Sequence, residues 1–236
     1  CIRDRLIEDP EYRKNGWAWY YLAQAHYEIA KKPELQEEYP KAMKDALKAA
    51  YKLNKYKNKP AENIEVYEEA TQFLAALKDS TITISEIYYD NDNPRKAAYY
   101  LKNITKFDDD DYAVWLMKGV YEIKSRNVGE GVKSIKYAMD KINMEYVPDP
   151  ESVQTMIDAL GEFALIVKSG EYDKYFASYK YEPTAQDANE ALLIKEKMKE
   201  YLRGEVVNIE DRKKESETIF KSFRSDDAEE DDEDEE

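Results

Sequence analysis

The chain has 236 residues, 37% of them charged and 42% hydrophobic, with only seven glycines and eight prolines, which is typical of long helices and argues against a turn-rich β protein. Ten of the carboxylates behind the formal net charge of −15 lie in residues 226–236. The rest of the chain is mildly acidic and repels phosphate, which argues against nucleic acid or anionic lipid as a partner, and no apolar run approaches the roughly 18 residues of a membrane span.

Residues 1–14 precede the first predicted repeat and begin with the only cysteine of the chain, Cys1. A single cysteine has no partner for an intramolecular disulfide. Residues 2–10 resemble the end of a repeat's second helix, which indicates a piece of a longer array. Cys1 also resembles the lipid-bearing first residue of a mature bacterial lipoprotein, and this interpretation predicts an N-terminal tether with a lipid anchor at Cys1.

Residues 15–50 predict a pair of helices, because side chains suited to packing recur at spacings of three and four. The connection between them, residues 31–40, is longer than a tight turn. The only histidine lies at one of these packing positions, so we assign it a structural role. The recurring positions are Trp19, Leu22, Ala23 and His26 in the first helix, then Met43, Leu47 and Ala50 in the second.

Residues 60–107 predict a second, less regular pair. Pro60 can start a helix at its first turn. The β-branched run at residues 81–85 either continues this helix or forms a short extended piece, and we favour the helix. Asn93 followed by Pro94 is typical of a helix start. The recurring positions are Ile64, Tyr67, Phe73, Leu74 and Leu77, then Ala97, Leu101 and Ile104.

Residues 112–145 predict the most regular pair, with a turn at Asn127 and Val128. Small residues at Gly119 and Gly131 allow two facing helices to approach closely, and an aromatic residue fills the space between them. The pattern Trp115, Gly119, Gly131, Ile135 and Ala138 occupies positions 4, 8, 20, 24 and 27 of a 34-residue unit.

Residues 146–204 predict three more helices. The first is opened by Pro148 and Pro150 and ended by Gly170, and the second is a short tyrosine-rich helix over residues 174–180. The third runs over residues 184–202, with Thr184 as its cap. Beyond them, residues 205–224 predict a capping helix and residues 225–236 a disordered acidic tail, because a run of like charges repels itself.

These positions are similar to those of the tetratricopeptide-repeat family, with one strict repeat at residues 112–145 and degenerate repeats over most of residues 15–168. The resemblance implies an all-α fold, in which antiparallel helix pairs stack as a right-handed α-solenoid. It predicts one helical repeat domain over residues 15–204.

In this family the first helices line a concave groove that grips an extended peptide or a partner's helix, and the resemblance implies the same here. The groove residues follow one another at spacings of four and three on one helix face. The alternative for the aliphatic positions is that a neighbouring repeat covers them, in which case they belong to the core. The predicted partner-binding groove consists of Tyr20, Gln24, Tyr27, Glu28, Leu116, Val120, Ile123 and Lys124.

Motifs of enzymes and metal sites are weak in this sequence. Residues 129–134 contain glycines and a lysine but lack the strand and the spacing of a P-loop. Residues 108–111 lack the loop glycine and the distant glutamate of an EF-hand, so we interpret them as helix caps. Without a nucleophile elbow or a zinc-protease motif, we predict a protein that is not an enzyme and holds no cofactor or metal.

The sequence therefore predicts a non-catalytic scaffold that binds a protein or peptide partner. An exported, lipid-anchored place in a bacterial cell-envelope complex, in the periplasm or at the membrane, is favoured over the cytoplasm. The alternative gives the binding role to residues 225–236, and makes the protein an acidic-tailed, chaperone-like binder of basic proteins.

Overall fold

A computed structural model describes residues 12–58 and 61–204. Within these ranges the chain forms ten α-helices and three short 3-10 helices, with no strand, which confirms the all-α prediction. The predictions for Cys1, for residues 205–224 and for residues 225–236 lie outside the described residues. The α-helices are α1 (Gly16–Ala30), α2 (Ala42–Tyr56), α3 (Asn63–Glu69), α4 (Thr71–Asp90), α5 (Pro94–Phe107), α6 (Tyr112–Lys124), α7 (Val128–Met139), α8 (Val153–Ser169), α9 (Asp173–Ser178) and α10 (Ala185–Gly204).

The chain forms two compact units that divide between Ile84 and Ser85, within α4. In the first unit, α1 packs against α2 and α3. In the second unit, α6 packs against α5, α7 and α8, while α8 also packs against α10 and α7 contacts α9. Each unit therefore has its own core of helices packed on helices.

The pairing of α1 with α2 agrees with the predicted helical spacing. Ala23, Met43, Leu47 and Ala50 are each at most 2% exposed, and Trp19 is 7% exposed. Burial of apolar surface contributes about 25 cal/mol per Å², so these positions hold the two helices together. The long connection between the helices contains a short 3-10 helix, which accounts for its extra residues.

Asn63 is a buried polar residue that joins three segments of the first unit. Its Oδ1 accepts a hydrogen bond from the backbone N–H of Gly16 at 2.8 Å. Its Nδ2 donates to the carbonyl oxygens of Lys14 at 2.7 Å and Tyr56 at 2.9 Å. With Asn63 turned inward, its neighbour Ile64, a predicted core position, is turned outward and 47% exposed. The predicted start at Pro60 lies outside the described residues, and the predicted helix over residues 64–77 is divided into two helices, α3 and the start of α4.

The β-branched run at residues 81–85 lies inside α4, which confirms the prediction of a helix there. All five side chains are buried. Thr81 Oγ1 donates to the carbonyl oxygen of Leu77 at 2.6 Å, and Thr83 Oγ1 donates to that of Asp79 at 3.1 Å. Because each hydroxyl bonds one turn back in its own helix, the threonines are compatible with a buried helix.

Two predicted helix boundaries of the second unit are confirmed by their caps. The side chain of Asn93 accepts a hydrogen bond from the backbone N–H of Lys96 at 3.1 Å, and Pro94 is the first residue of α5. The second boundary is the C-terminal end of α8, where Gly170 lies in the left-handed region with φ of 65°. Glycine suits that position because it has no Cβ to clash.

The helices α6 and α7 approach most closely at their glycines. A Cβ atom on Gly119 would lie 2.8 Å from the carbonyl oxygen of Gly131 and 2.9 Å from the backbone nitrogen of Ile135. A Cβ atom on Gly131 would lie 2.7 Å from the carbonyl oxygen of Gly119 and 2.9 Å from the backbone nitrogen of Ile123. As the residue number rises along α6 it falls along α7, so the two helices are antiparallel. The predicted close approach is confirmed.

Thr184 and Asp187 form a reciprocal cap at the start of α10. The backbone N–H and the Oγ1 of Thr184 donate to Asp187 Oδ2 at 2.6 and 2.7 Å. In return, Thr184 Oγ1 accepts from the backbone N–H of Gln186 at 3.2 Å. The hydrogen bonds from Thr184 hold the pKa of Asp187 below its usual value. The predicted cap at Thr184 is confirmed.

Replacing Asp187 with alanine is expected to lower the free energy of unfolding by about 1 kcal/mol at neutral pH, because both bonds from Thr184 are lost. The lowered pKa means that this stabilisation is fully present above the ordinary aspartate pKa of about 3.9, and is lost as the pH falls through the folded-state pKa. Urea unfolding of both proteins over this pH range measures the effect, and the difference should shrink in acid. Glu190→Ala, on the exposed side of the same helix, is the control and should change stability by less than about 0.5 kcal/mol. An equal loss in the control would contradict the capping role.

Candidate partner-binding site

The predicted groove residues of α1 divide between buried and accessible positions. Tyr20 is 9% exposed and Tyr27 is 5% exposed. Both rings lie 5.8 Å from the ring of Phe73 in α4, and the Tyr27 hydroxyl forms a hydrogen bond of 2.7 Å with Ser80 Oγ. These two tyrosines therefore contribute to packing. Of the other two predicted residues, Gln24 is half-buried and Glu28 is exposed.

An exposed aromatic pair lies beside those residues on α1. Trp17 is 38% exposed and Tyr21 is 59% exposed, and their rings stack 5.6 Å apart at 22°. Neither residue was among the predicted groove positions. Their spacing of four along the helix is the signal that could have found the pair.

The predicted aliphatic groove residues of α6 lie in the core of the second unit. Leu116 and Val120 are fully buried, and Ile123 is 2% exposed. The reason is that α6 is packed against α5, α7 and α8 together. The sequence left two alternatives open for these residues, a binding groove or the core, and in the structure they are core residues. Lys124, the fourth predicted residue on this helix, remains exposed.

Lys124 joins three helices of the second unit. Its Nζ lies 2.8 Å from Glu162 Oε2 in α8 and donates to the hydroxyl of Tyr89 in α4 at 2.7 Å. The ammonium is 5.3 Å from the centroid of the Tyr89 ring, so it lies beyond the hydroxyl and near the plane of the ring. The contact is a hydrogen bond rather than a cation–π interaction. The ring of Tyr89 stacks on Tyr121 at 4.4 Å and 15°. We call Tyr89, Tyr121, Lys124 and Glu162 the Lys124 cluster.

The electrostatics of the Lys124 cluster keep the ammonium of Lys124 charged and the hydroxyl of Tyr121 protonated, because the pKa of each group is raised. Partial burial would lower the pKa of Lys124, but its hydrogen bonds with Glu162 and Tyr89 raise the pKa above the usual lysine value. For Tyr121, burial raises the pKa above the usual value, and the nearby carboxylate of Glu86 raises it further. At neutral pH Lys124 is therefore a charged donor and the Tyr121 hydroxyl keeps its proton.

Three aspartates near the start of α6 come together in the second unit. Oxygens of Asp108, Asp111 and Asp149 lie within 4.8 Å of one another. Asp111 accepts from the backbone N–H of Val114 at 3.1 Å as the cap of α6, and its other oxygen accepts from Ser152 Oγ. The predicted role of this segment as a helix cap is confirmed at Asp111.

The segments that resembled catalytic motifs lie in helices. Residues 129–134, which carry glycines and a lysine, belong to the first turns of α7. His26 is half-buried in α1, on a helix whose neighbouring positions pack against α2. Both placements agree with the packing roles that the sequence suggested.

Comparison of the chain with protein-family models finds no match, and the comparisons with curated proteins and with solved structures find none either. The tetratricopeptide resemblance thus depends on the residues and spacings described above. Among the helices of residues 12–58 and 61–204, none is both long and apolar enough to span a membrane, as the sequence predicted.

Proposed function

We propose that this protein is a non-catalytic scaffold, a tetratricopeptide-like solenoid that holds a partner's peptide or helix on the face of the Lys124 cluster. The observation that carries the proposal is the meeting of Tyr89, Lys124 and Glu162, from three different helices, at one accessible place. In the tetratricopeptide family the first helices of successive repeats line the binding face. Under this proposal α4, α6 and α8 are those helices.

The side chains of this face suit binding rather than catalysis. Lys124 is engaged by Glu162 and Tyr89, and the raised pKa of Tyr121 makes that hydroxyl a poor acid at neutral pH. Tyrosine on a rigid helix contributes a large contact area at a low cost in conformational entropy. Side chains held by their neighbours in this way present a partner with a preformed surface. The envelope setting, with Cys1 as a lipid anchor, stays a prediction from the sequence.

Photo-crosslinking in the native source tests which face meets the partner. Leu165 lies three residues after Glu162 on α8, and Leu193 lies on α10, and each is 64% exposed. A photoreactive phenylalanine at position 165 should capture a defined partner. The same group at position 193 is the matched control and should not capture that partner. Lys124→Glu should reduce the captured fraction by roughly 30-fold, the effect of a hot-spot residue, while circular dichroism shows an unchanged helix content.

The acidic residues 226–236 provide the second candidate function, because ten carboxylates in sequence attract basic proteins. Deleting residues 225–236 separates the two candidate functions, binding by the helical face and binding by the acidic segment. If capture at position 165 survives the deletion and is lost with Lys124→Glu, the helical face binds the partner. If the deletion abolishes binding and Lys124→Glu has no effect, the acidic segment is the binding element and the proposal is wrong.

A further inference from the structure

Aromatic rings lie in a row at the start of α1, in the first unit. The stacked pair of Trp17 and Tyr21, 38% and 59% exposed, has ring centroids 5.6 Å apart. Tyr21 also stacks on the largely covered ring of Tyr20 at 5.5 Å. The Tyr20 ring in turn lies 5.8 Å from that of Phe73, which is half-buried in α4. We call Trp17, Tyr20, Tyr21 and Phe73 the aromatic strip. Tryptophan and tyrosine are enriched where proteins contact their partners.

The backbone that carries the two exposed rings is held in place. The side chain of Asn15 caps α1 by accepting a hydrogen bond from the backbone N–H of Ala18 at 3.1 Å. In the same turn, the backbone N–H of Gly16 donates to Asn63 Oδ1 of α3 at 2.8 Å. The rings are therefore presented on a fixed helix start, and a ligand loses little free energy in ordering this surface.

The size of the aromatic strip limits what can dock on it. Trp17 and Tyr21 together leave at most about 250 Å² of accessible side chain, whereas each partner in a stable protein pair buries roughly 800 Å². A second copy of the chain is therefore disfavoured. The next positions on this face of α1, Gln24 and Glu28, are polar, so the face lacks the row of apolar contacts that an amphipathic helix requires. A short extended segment fits the strip better than either.

The polar atoms of the aromatic strip favour a segment that accepts hydrogen bonds. The indole N–H of Trp17 can only donate, and the Tyr21 hydroxyl can donate as well. The Tyr20 hydroxyl accepts from Gln24 Nε2 at 2.9 Å, so its own proton is available to an acceptor. An ordinary extended peptide brings backbone N–H groups that need acceptors, which aromatic rings do not supply. A proline-rich segment keeps its carbonyl acceptors and lacks N–H groups at its prolines.

We propose that the aromatic strip binds a proline-rich segment of a partner protein in the polyproline II conformation. Successive rings along the strip are 5.5 to 5.8 Å apart, close to the rise of about 6 Å over two residues of a polyproline II helix. The proline rings pack on the aromatic rings, and the indole and phenol groups donate to the carbonyl oxygens between them. Because such a segment is already extended in solution, it loses little entropy on binding. The site belongs to the first unit and is independent of the Lys124 cluster.

Fluorescence anisotropy with a dye-labelled oligoproline peptide tests the proposal on the full chain. The double variant Trp17→Ala/Tyr21→Ala should bind the peptide at least about tenfold more weakly than wild type, because both exposed rings are lost. The matched control Tyr39→Ala/Tyr175→Ala removes rings that are 42% and 50% exposed elsewhere, and should bind within about twofold of wild type. Equal weakening in the two double variants would overturn the proposal, as would wild-type protein that shows no saturable binding up to about 1 mM peptide.

Tryptophan emission provides a second readout at the aromatic strip itself. Trp17 is the most exposed of the three tryptophans, so a docked peptide should remove water from its ring and shift the emission to shorter wavelength. Trp17→Phe keeps an aromatic ring, and it should bind oligoproline nearly as tightly as wild type does while the shift disappears. A shift that persists in Trp17→Phe would place the peptide elsewhere and contradict the docking position.

The other possible occupants of the aromatic strip give different results. Equally tight binding of a peptide of alternating glycine and serine would show contact with any extended chain. A wild-type dimer in analytical ultracentrifugation that dissociates in Trp17→Ala/Tyr21→Ala would assign the strip to a second copy. Either result overturns the proposal. Capture at position 165 remains a separate test of the proposed function, because the probe and the variants used here lie in the first unit.

Discussion

Replacing Lys118 with methionine is expected to destabilise the protein by about 3–5 kcal/mol, because the change leaves a buried carboxylate without its cation. Lys118 Nζ lies 2.8 Å from Glu122 Oε1, and both side chains are less than 10% exposed. Ser134 of α7 completes the group, accepting from Lys118 at 2.7 Å and donating to Glu122 Oε2 at 2.8 Å. Urea unfolding followed by circular dichroism measures the loss.

The double variant Lys118→Met/Glu122→Leu should recover most of that stability, since it removes both charges and leaves apolar side chains between the helices. Ser134 Oγ, which no longer donates to Glu122, can then donate to the carbonyl oxygen of Glu130, 3.0 Å away. Lys133→Met is the matched control, because the pair of Lys133 with Glu130 is 53% exposed on both sides, and an ion pair exposed to solvent contributes little to stability. A single Lys118 variant as mild as this control would refute the buried ion pair.

Replacing Gly131 with alanine should lower the free energy of unfolding by roughly 1–3 kcal/mol, because the added methyl group overpacks the contact between α6 and α7. Its Cβ would lie 2.6 Å from Ile123 Cγ1 and 2.7 Å from the carbonyl oxygen of Gly119. The second of these is a backbone atom, so the two helices must separate to admit it. Gly119→Ala meets the backbone of Gly131 in the same way and should show a similar loss.

Gly161→Ala is the control for both glycine variants. The Cβ at this position would meet only the flexible side chain of Lys195, which can move aside. Since alanine favours a helix over glycine by about 0.5–1 kcal/mol, this variant should be neutral or more stable. Thermal unfolding compares the three proteins, and a loss at Gly161 equal to that at Gly131 would contradict the close approach of the helices.

Much of the local structure could be predicted from the sequence. The helix containing the run at residues 81–85, the caps at Asn93 and Thr184, and the close approach at Gly119 and Gly131 all agree with the structure. Each of these features depends on residues within a few positions of one another, or on a repeat spacing that the chain displays directly. Helical periodicity and capping chemistry are therefore sufficient to find them.

The candidate site could be predicted only in part, since Lys124 was the one member of the Lys124 cluster found in advance. Tyr89 and Glu162 join it from other helices, at 2.7 and 2.8 Å. No spacing in the sequence relates these three residues. Their meeting depends on how α4, α6 and α8 pack.

The sequence by itself determined the helical class of this protein, its helix starts and the glycines between α6 and α7, because these follow from local spacing and backbone geometry. Only the tertiary structure decided which side chains of one helix meet water. Leu116 and Lys124 both lie on α6, yet the first is fully buried and the second is exposed. Lys118 and Glu122 are charged residues of the same helix, and the neighbouring helices bury them. Burial depends on every helix packed around a residue, and those contacts link parts of the chain too distant for a sequence pattern to relate.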